Sequence, residues 1–182
     1  PRDARGAPIE QEFLLPKPAT VPARVERLYP SAAQLPENLL KLYLYFSAPM
    51  RRGEAYRRVR LFAAGAGREI ELPFLELDEE LWDREGKRLT LLFDPGRIKR
   101  GLRPREEEGP VLEEGKRYAL IVDRHWLDAS GNPLSEEYRK EFAVGPPDEI
   151  QPDPKQWKIQ RPAAGTRNRL VVTLPEPLDY AM

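Results

Sequence analysis

The stretch Lys41-Leu42-Tyr43-Leu44-Tyr45-Phe46 decides the class of this fold. Leu42, Leu44 and Phe46 fall on one side of an extended chain and Lys41, Tyr43 and Tyr45 on the other, the period-two signature of a strand with one buried face. The same alternation recurs at Val59 and Leu61, at Ile70, Leu72 and Phe74, at Leu89, Leu91 and Phe93, at Tyr118, Leu120 and Val122, and at Phe142 and Val144. Turn signals separate these runs: Ala64-Gly65-Ala66-Gly67, Asp83-Arg84-Glu85-Gly86, Asp94-Pro95-Gly96, Glu113-Glu114-Gly115 and Asp128-Ala129-Ser130-Gly131-Asn132-Pro133. Short strands punctuated in this way predict an all-β antiparallel sandwich with Leu44, Phe46, Leu91, Leu120 and Val122 buried between its sheets.

Composition agrees. Twenty prolines in 182 residues are about twice the roughly 5% average. Each removes a backbone donor and fixes φ, which a helical bundle does not tolerate. Hydrophobic residues at 40% suffice for a core, and no apolar run approaches the roughly 18 residues of a spanning helix, so no membrane insertion is expected. Thirty Lys and Arg balance thirty Asp and Glu, leaving no overall field toward nucleic acid or another polyanion. With no cysteine, disulfides, thiolate catalysis and sulfur-bound zinc are excluded.

Outside the alternating runs, residues 1–22 read as an extended Pro- and Ala-rich leader. Leu77-Asp78-Glu79-Glu80-Leu81-Trp82 reads as one helical turn. Residues 98–111 form a long charged connection between strands, and a connection of that length is a functional loop or a mobile one. The sandwich then spans residues 23–145, a stiff Pro-rich linker 146–156, and a partial repeat 157–182. The repeat is an echo: Val25-Glu26-Arg27-Leu28-Tyr29-Pro30-Ser31-Ala32 returns as Trp157-Lys158-Ile159-Gln160-Arg161-Pro162-Ala163-Ala164. Likewise Tyr43-Leu44-Tyr45-Phe46-Ser47-Ala48-Pro49-Met50 returns as Val171-Val172-Thr173-Leu174-Pro175-Glu176-Pro177-Leu178. The expectation is a chain that stops two strands into a second copy of its own domain, the intact protein being longer.

A strand ending in Pro-Ser-Ala, one ending in Phe46-Ser-Ala-Pro-Met50, a late strand Tyr118-Ala-Leu-Ile-Val122 and the turn Asp128-Ala-Ser-Gly-Asn-Pro-Leu134 together resemble the bacterial Ig-like domains of the S-layer protein (SbsA) type. The resemblance covers residues 25–145, with the opening of a second copy from Trp157. It implies a sandwich of about seven strands, found in tandem in exported and cell-surface proteins as a spacer, assembly module or accessory domain. It carries over no catalytic residue and no cofactor.

The candidates for chemistry are sparse. His125 is the single histidine, so a two-histidine metal site cannot be built within one chain, and neither Ser130 nor Ser135 lies in a Gly-x-Ser-x-Gly turn. The carboxylates Glu76, Asp78, Glu79, Glu80, Asp83 and Glu85, with Glu106, Glu107 and Glu108, supply the residue types of a paired-carboxylate hydrolase, but they stand among basic residues as solvated faces do. Asp123, Asp128, Ser130 and Asn132 offer oxygen to Ca²⁺ without the closing bidentate glutamate of a dedicated loop. Tyr43, Tyr45, Trp82 and Trp126 are the candidate aromatic platform for a sugar ring or for packing against a neighbour. Arg97, Arg100 and Arg103 make the 98–111 connection the candidate protein-interaction surface; without interleaved aromatics they do not read as a nucleic-acid site. The expected role is a non-catalytic structural or interaction module of an exported protein, facing neighbouring domains or another protein, with carbohydrate binding and hydrolysis as its rivals.

Overall fold

The computed structural model describes residues 21–65, 67–98, 103–151 and 153–175; the leader up to residue 20 and Arg100 lie outside them. Val25–Tyr29 (β1) pairs with Lys41–Phe46 (β3), β3 with Arg88–Leu92 (β7), and β7 with Leu81–Trp82 (β6), giving an antiparallel sheet in the order β1-β3-β7-β6. The facing sheet runs β2-β9-β8-β4-β5, from Gln34–Pro36 (β2) through Tyr138–Gly145 (β9), Arg117–Val122 (β8) and Val59–Ala63 (β4) to Arg68–Glu69 (β5). Only the β2–β9 pair in it is parallel. The fold is thus the all-β sandwich that the alternation predicts.

Every inward residue of the deciding strand is sealed: Leu42 and Leu44 are 0% exposed and Phe46 2%. Leu89, Leu91 and Phe93 line the same sheet, and Leu61, Tyr118, Leu120, Val122, Phe142 and Val144 face them from the other. Each such side chain contributes roughly 1.5–3 kcal/mol of burial, so these two rows of residues hold the domain together. The five residues expected in the core are all buried.

Two local expectations are corrected. Leu81 and Trp82 form the edge strand β6, not a helical turn, because Leu81 pairs with Thr90 and Trp82 with Leu89. The run Ile70, Leu72 and Phe74 is not a strand: Leu72 sits at φ 44°, the left-handed region that a branched side chain rarely enters, and it is 68% exposed. Phe74 then meets Phe93 through an isolated bridge. The 98–111 connection is anchored at its far end, since Val111 is buried in the core beside Leu112, and Ile98 packs against that core. Short helices Pro95–Ile98 (α2) and Arg103–Glu108 (α3) stand within or beside it; an earlier single turn, Ala55–Arg58 (α1), leads into β4.

After β9 the chain is pinned once more. Asn38 Nδ2 donates to the Asp148 carbonyl, and the Asp148 N–H donates to Asn38 Oδ1 at 2.8 Å. Asp153 then caps a 3-10 turn at Pro154–Gln156. Beyond it Lys158–Gln160 (β10) and Val171–Thr173 (β11) form a separate antiparallel ribbon, with Lys158 opposite Thr173, Ile159 opposite Val172 and Gln160 opposite Val171. This is the frame of Val25↔Phe46 in the β1–β3 pair, continued without the irregularity between Val25 and Arg27 that shifts the later pairs by one residue.

Candidate functional site

The polar and aromatic candidates gather mainly at one end of the sandwich. The turn after β8 folds back over that end: the Trp126 N–H donates to the Asp123 carbonyl, and the Arg51 N–H to that of Leu127. Trp126 is thereby driven to 0% exposure. Its ring stands 5.3 Å from Phe46 and 5.8 Å from Trp82, and Phe46 and Trp82 are 5.8 Å apart. Both indole nitrogens are satisfied inside the fold, Trp126 Nε1 by the Arg51 carbonyl and Trp82 Nε1 by Glu80. Trp126 therefore plugs the core, and the half-buried Trp82 packs against it.

Tyr43 and Tyr45 do point away from the core, as expected, but Tyr43 is buried at 5% exposure. The Lys41 ammonium and the Arg88 guanidinium lie 5.4 and 5.9 Å from the centre of its ring, an arrangement favoured by the negative face of the π-system. Half-buried Tyr45 meets Tyr29 edge-to-face at 5.7 Å. The four predicted aromatics thus divide between the inner and outer faces and form no common flat platform. The signal missed in the sequence is the pair of cations flanking Tyr43 across β3 and β7.

Around the rim of the same end runs an ionic chain. Arg58 donates to Glu54 at 2.9 Å and to Asp123 at 2.7 Å, and those hydrogen bonds hold its guanidinium still further up. Burial pushes the Asp123 carboxyl up. The His125 backbone N–H, the Arg58 guanidinium and the His125 ring outweigh that and bring it down to about 2. His125 itself is largely exposed and rests its Nδ1 2.8 Å from Asp123. A nucleophile–base–orienter constellation needs a hydroxyl or thiol on the ring's other nitrogen; among the described residues the His125 ring meets this carboxylate.

Asp128 is 3% exposed and closes the neighbouring turn. Its Oδ1 accepts the Ser130 and Asn132 backbone N–H groups at 2.8 and 2.9 Å, and Asn132 Nδ2 donates to Oδ2 at 3.1 Å. Gly131 supplies the φ of 79° that this loop requires. The oxygens weighed as calcium ligands are thus bound by Arg58 and His125 at Asp123 and by turn amides at Asp128. Among the described residues no three of His, Cys, Asp and Glu stand together as metal ligands.

The remaining acidic candidates follow two patterns. Glu80 accepts the Ala55 N–H and the Trp82 indole, and Asp83 accepts the Lys87 and Arg88 N–H groups, so both hold turns. Glu76, Asp78 and Glu79 stand exposed on the connection before β6. In the 98–111 connection, Arg97 Nε donates to the Gly109 carbonyl at 3.0 Å, which ties α2 to the end of α3, and Arg103 is exposed.

No family model matches the chain, and no curated protein matches it. Among solved structures it is similar to the S-layer protein rSbsC(31-844), at TM-score 0.44 and 15% identity over 70% of this chain and 14% of that one. CopC from Methylosinus trichosporium OB3b gives TM-score 0.44 and 15% identity over 71% of this chain and 99% of that one. The native alpha-2-macroglobulin fragment of Escherichia coli spanning domains MG0-NIE-MG1 gives 0.40 and 17% over 72% and 33%. These are distant bacterial likenesses in fold. The chain spans about a seventh of the S-layer chain. Among the described residues no helix is long and apolar enough to cross a membrane.

Proposed function

We propose that residues 23–145 are a non-catalytic Ig-like module of the SbsA type, serving a structural or protein-interaction role in an exported bacterial protein, with 146–156 as linker and 157–182 as the start of a second module. One observation carries this reading: the described groups with catalytic or ligand-binding potential at the sandwich end are spent on the scaffold. Trp126 fills the core and Trp82 packs against it, Asp123 and Asp128 hold turns, and Glu80 and Asp83 accept backbone amides. The groups left unspent are surface charges and apolar side chains on the ribbon and at one sheet edge, which suit contact with another protein.

Affinity electrophoresis against a polysaccharide panel, together with assays on glycoside substrates, tests the reading against both rivals. The expected result is unretarded migration and no turnover. Retardation lost in Tyr45→Ala would replace it with carbohydrate binding, and turnover lost in Glu76→Gln or Glu79→Gln would replace it with hydrolysis.

A further inference from the structure

Two segments of this electrically neutral chain are strongly one-signed. Residues 154–175, the β10–β11 ribbon and its flanks, hold Lys155, Lys158, Arg161, Arg167 and Arg169 and no carboxylate. Residues 69–82, leading from β5 to β6, hold Glu69, Glu71, Glu76, Asp78, Glu79 and Glu80 and no Lys or Arg. With five of the 30 basic residues in the ribbon, 25 remain against 30 acidic ones elsewhere, so the rest of the chain repels anions and attracts the ribbon. Among the described residues none of the five ribbon cations forms an ion pair, and exposed Glu71, Glu76, Asp78 and Glu79 engage no described cation.

Apolar exposure follows the same division. On the ribbon, strand alternation puts Ile159, Leu170 and Val172 on one face, and they are 55%, 59% and 41% exposed. On the acidic segment Leu72 is 68% and Leu81 38% exposed. Leu81 belongs to β6, the two-residue edge of its sheet, whose outer side has no neighbour among the described strands. Each segment thus carries exposed apolar side chains together with charges that engage no described ion-pair partner, and the charges are opposite.

We propose that the cationic β10–β11 ribbon of one copy docks on the acidic β6 edge of a second copy, laying Ile159, Leu170 and Val172 over Leu72 and Leu81. This rests on the interaction-module reading and names its partner. Ribbon against ribbon sets five cations against five, whereas ribbon against edge sets cations against carboxylates. The contact joins two different surfaces, so it propagates head to tail rather than closing as a symmetric pair.

Sedimentation velocity of the intact chain at low and high salt, over a wide concentration range, tests this. The expected result is association that grows with concentration and weakens in salt. The edge variant E76K/D78K/E79K and the ribbon variant K158E/R161E/R169E should each self-associate at least about tenfold more weakly, the effect of losing about 1.4 kcal/mol, while their equimolar mixture regains association, since the intact ribbon of one meets the intact edge of the other and the two reversed surfaces again carry opposite charge. Ile159→Ser and Leu81→Ser serve if a triple variant fails to fold, and each should weaken association. A monomer at every concentration, self-association untouched by either reversal, or a mixture that regains no association overturns the proposal; so does a concentration-independent compaction, which would put the ribbon on its own edge. Polysaccharide retardation measured separately would overturn the module reading and leave this result standing.

Discussion

Leu42, Leu44 and Phe46 on β3 and Leu170, Val172 and Leu174 around β11 occupy equivalent places in two strand pairs that begin alike. The first three are at most 2% exposed, whereas Leu170 and Val172 are 59% and 41% exposed. Strand character and antiparallel pairing are shared, and the pairing frame agrees at its start, so the difference lies in what faces the pair. β3 has β7 beside it and the second sheet above it, while β10–β11 is a sheet of two. An isolated pair of strands is marginal in water. Strand character is thus encoded locally, and stability is supplied by the opposing layer.

The largest way to sharpen this comparison is Leu44→Ala. It empties a fully buried site and should cost about 3 kcal/mol in urea unfolding. Next comes Asp128→Ala, which removes the acceptor for the Ser130 and Asn132 amides at a buried turn and should cost about 2 kcal/mol, read as a lower melting temperature with an unchanged far-UV spectrum. A comparable effect comes from acid. Since the folded Asp123 carboxyl sits at about 2, below its unfolded value of about 3.9, its contribution is present above pH 4 and is lost as pH falls through 2. That contribution is about 2 kcal/mol. Stability measured across this window should fall less steeply in Asp123→Asn, and equal slopes would show that Arg58 and His125 do not stabilise the carboxylate. The smallest effect belongs to the ribbon: Val172→Ala in dilute solution should move stability by no more than about 0.5 kcal/mol, and its Val171–Thr173 amides should exchange much faster than those of Leu44. A Val172→Ala cost equal to that of Leu44→Ala would make the ribbon part of the first core and end the comparison.

The sandwich was legible in most of its alternating runs, as at Leu89-Thr90-Leu91-Leu92-Phe93, because period two buries one face in an extended chain; Ile70, Leu72 and Phe74 alternate equally and form no strand, since Leu72 leaves the extended region at φ 44°. β2 was not legible. Gln34–Pro36 offers three residues and a proline, and it is a strand because Leu35 reaches the core and Gly145 lies opposite Pro36. β6 was hidden for a similar reason: two residues carry no period. At the sandwich end the residue types were right and their directions were not. Trp126 follows a turn-like Asp-Arg-His and reads as surface, but the turn doubles over the core and the Arg51 carbonyl satisfies the indole that would otherwise need water. Tyr43 faces outward as its parity demands, yet neighbouring cations cover it. Parity gives the side of a sheet and says nothing of what lies across it.

The parallel join of β2 to β9 has a consequence for how the chain is made. Ala143, Val144 and Gly145 complete the sheet by lying beside Gln34, Leu35 and Pro36, partners more than a hundred positions earlier. A polypeptide emerging from its N-terminus holds β2 without its only neighbour until almost the whole module has appeared. Long-range pairings of this kind slow folding, since the loop must close before the contacts reward it. The β1-β3-β7-β6 sheet needs no residue beyond Leu92, so the arrival of β9 is the step that joins β2 to the second sheet and closes it.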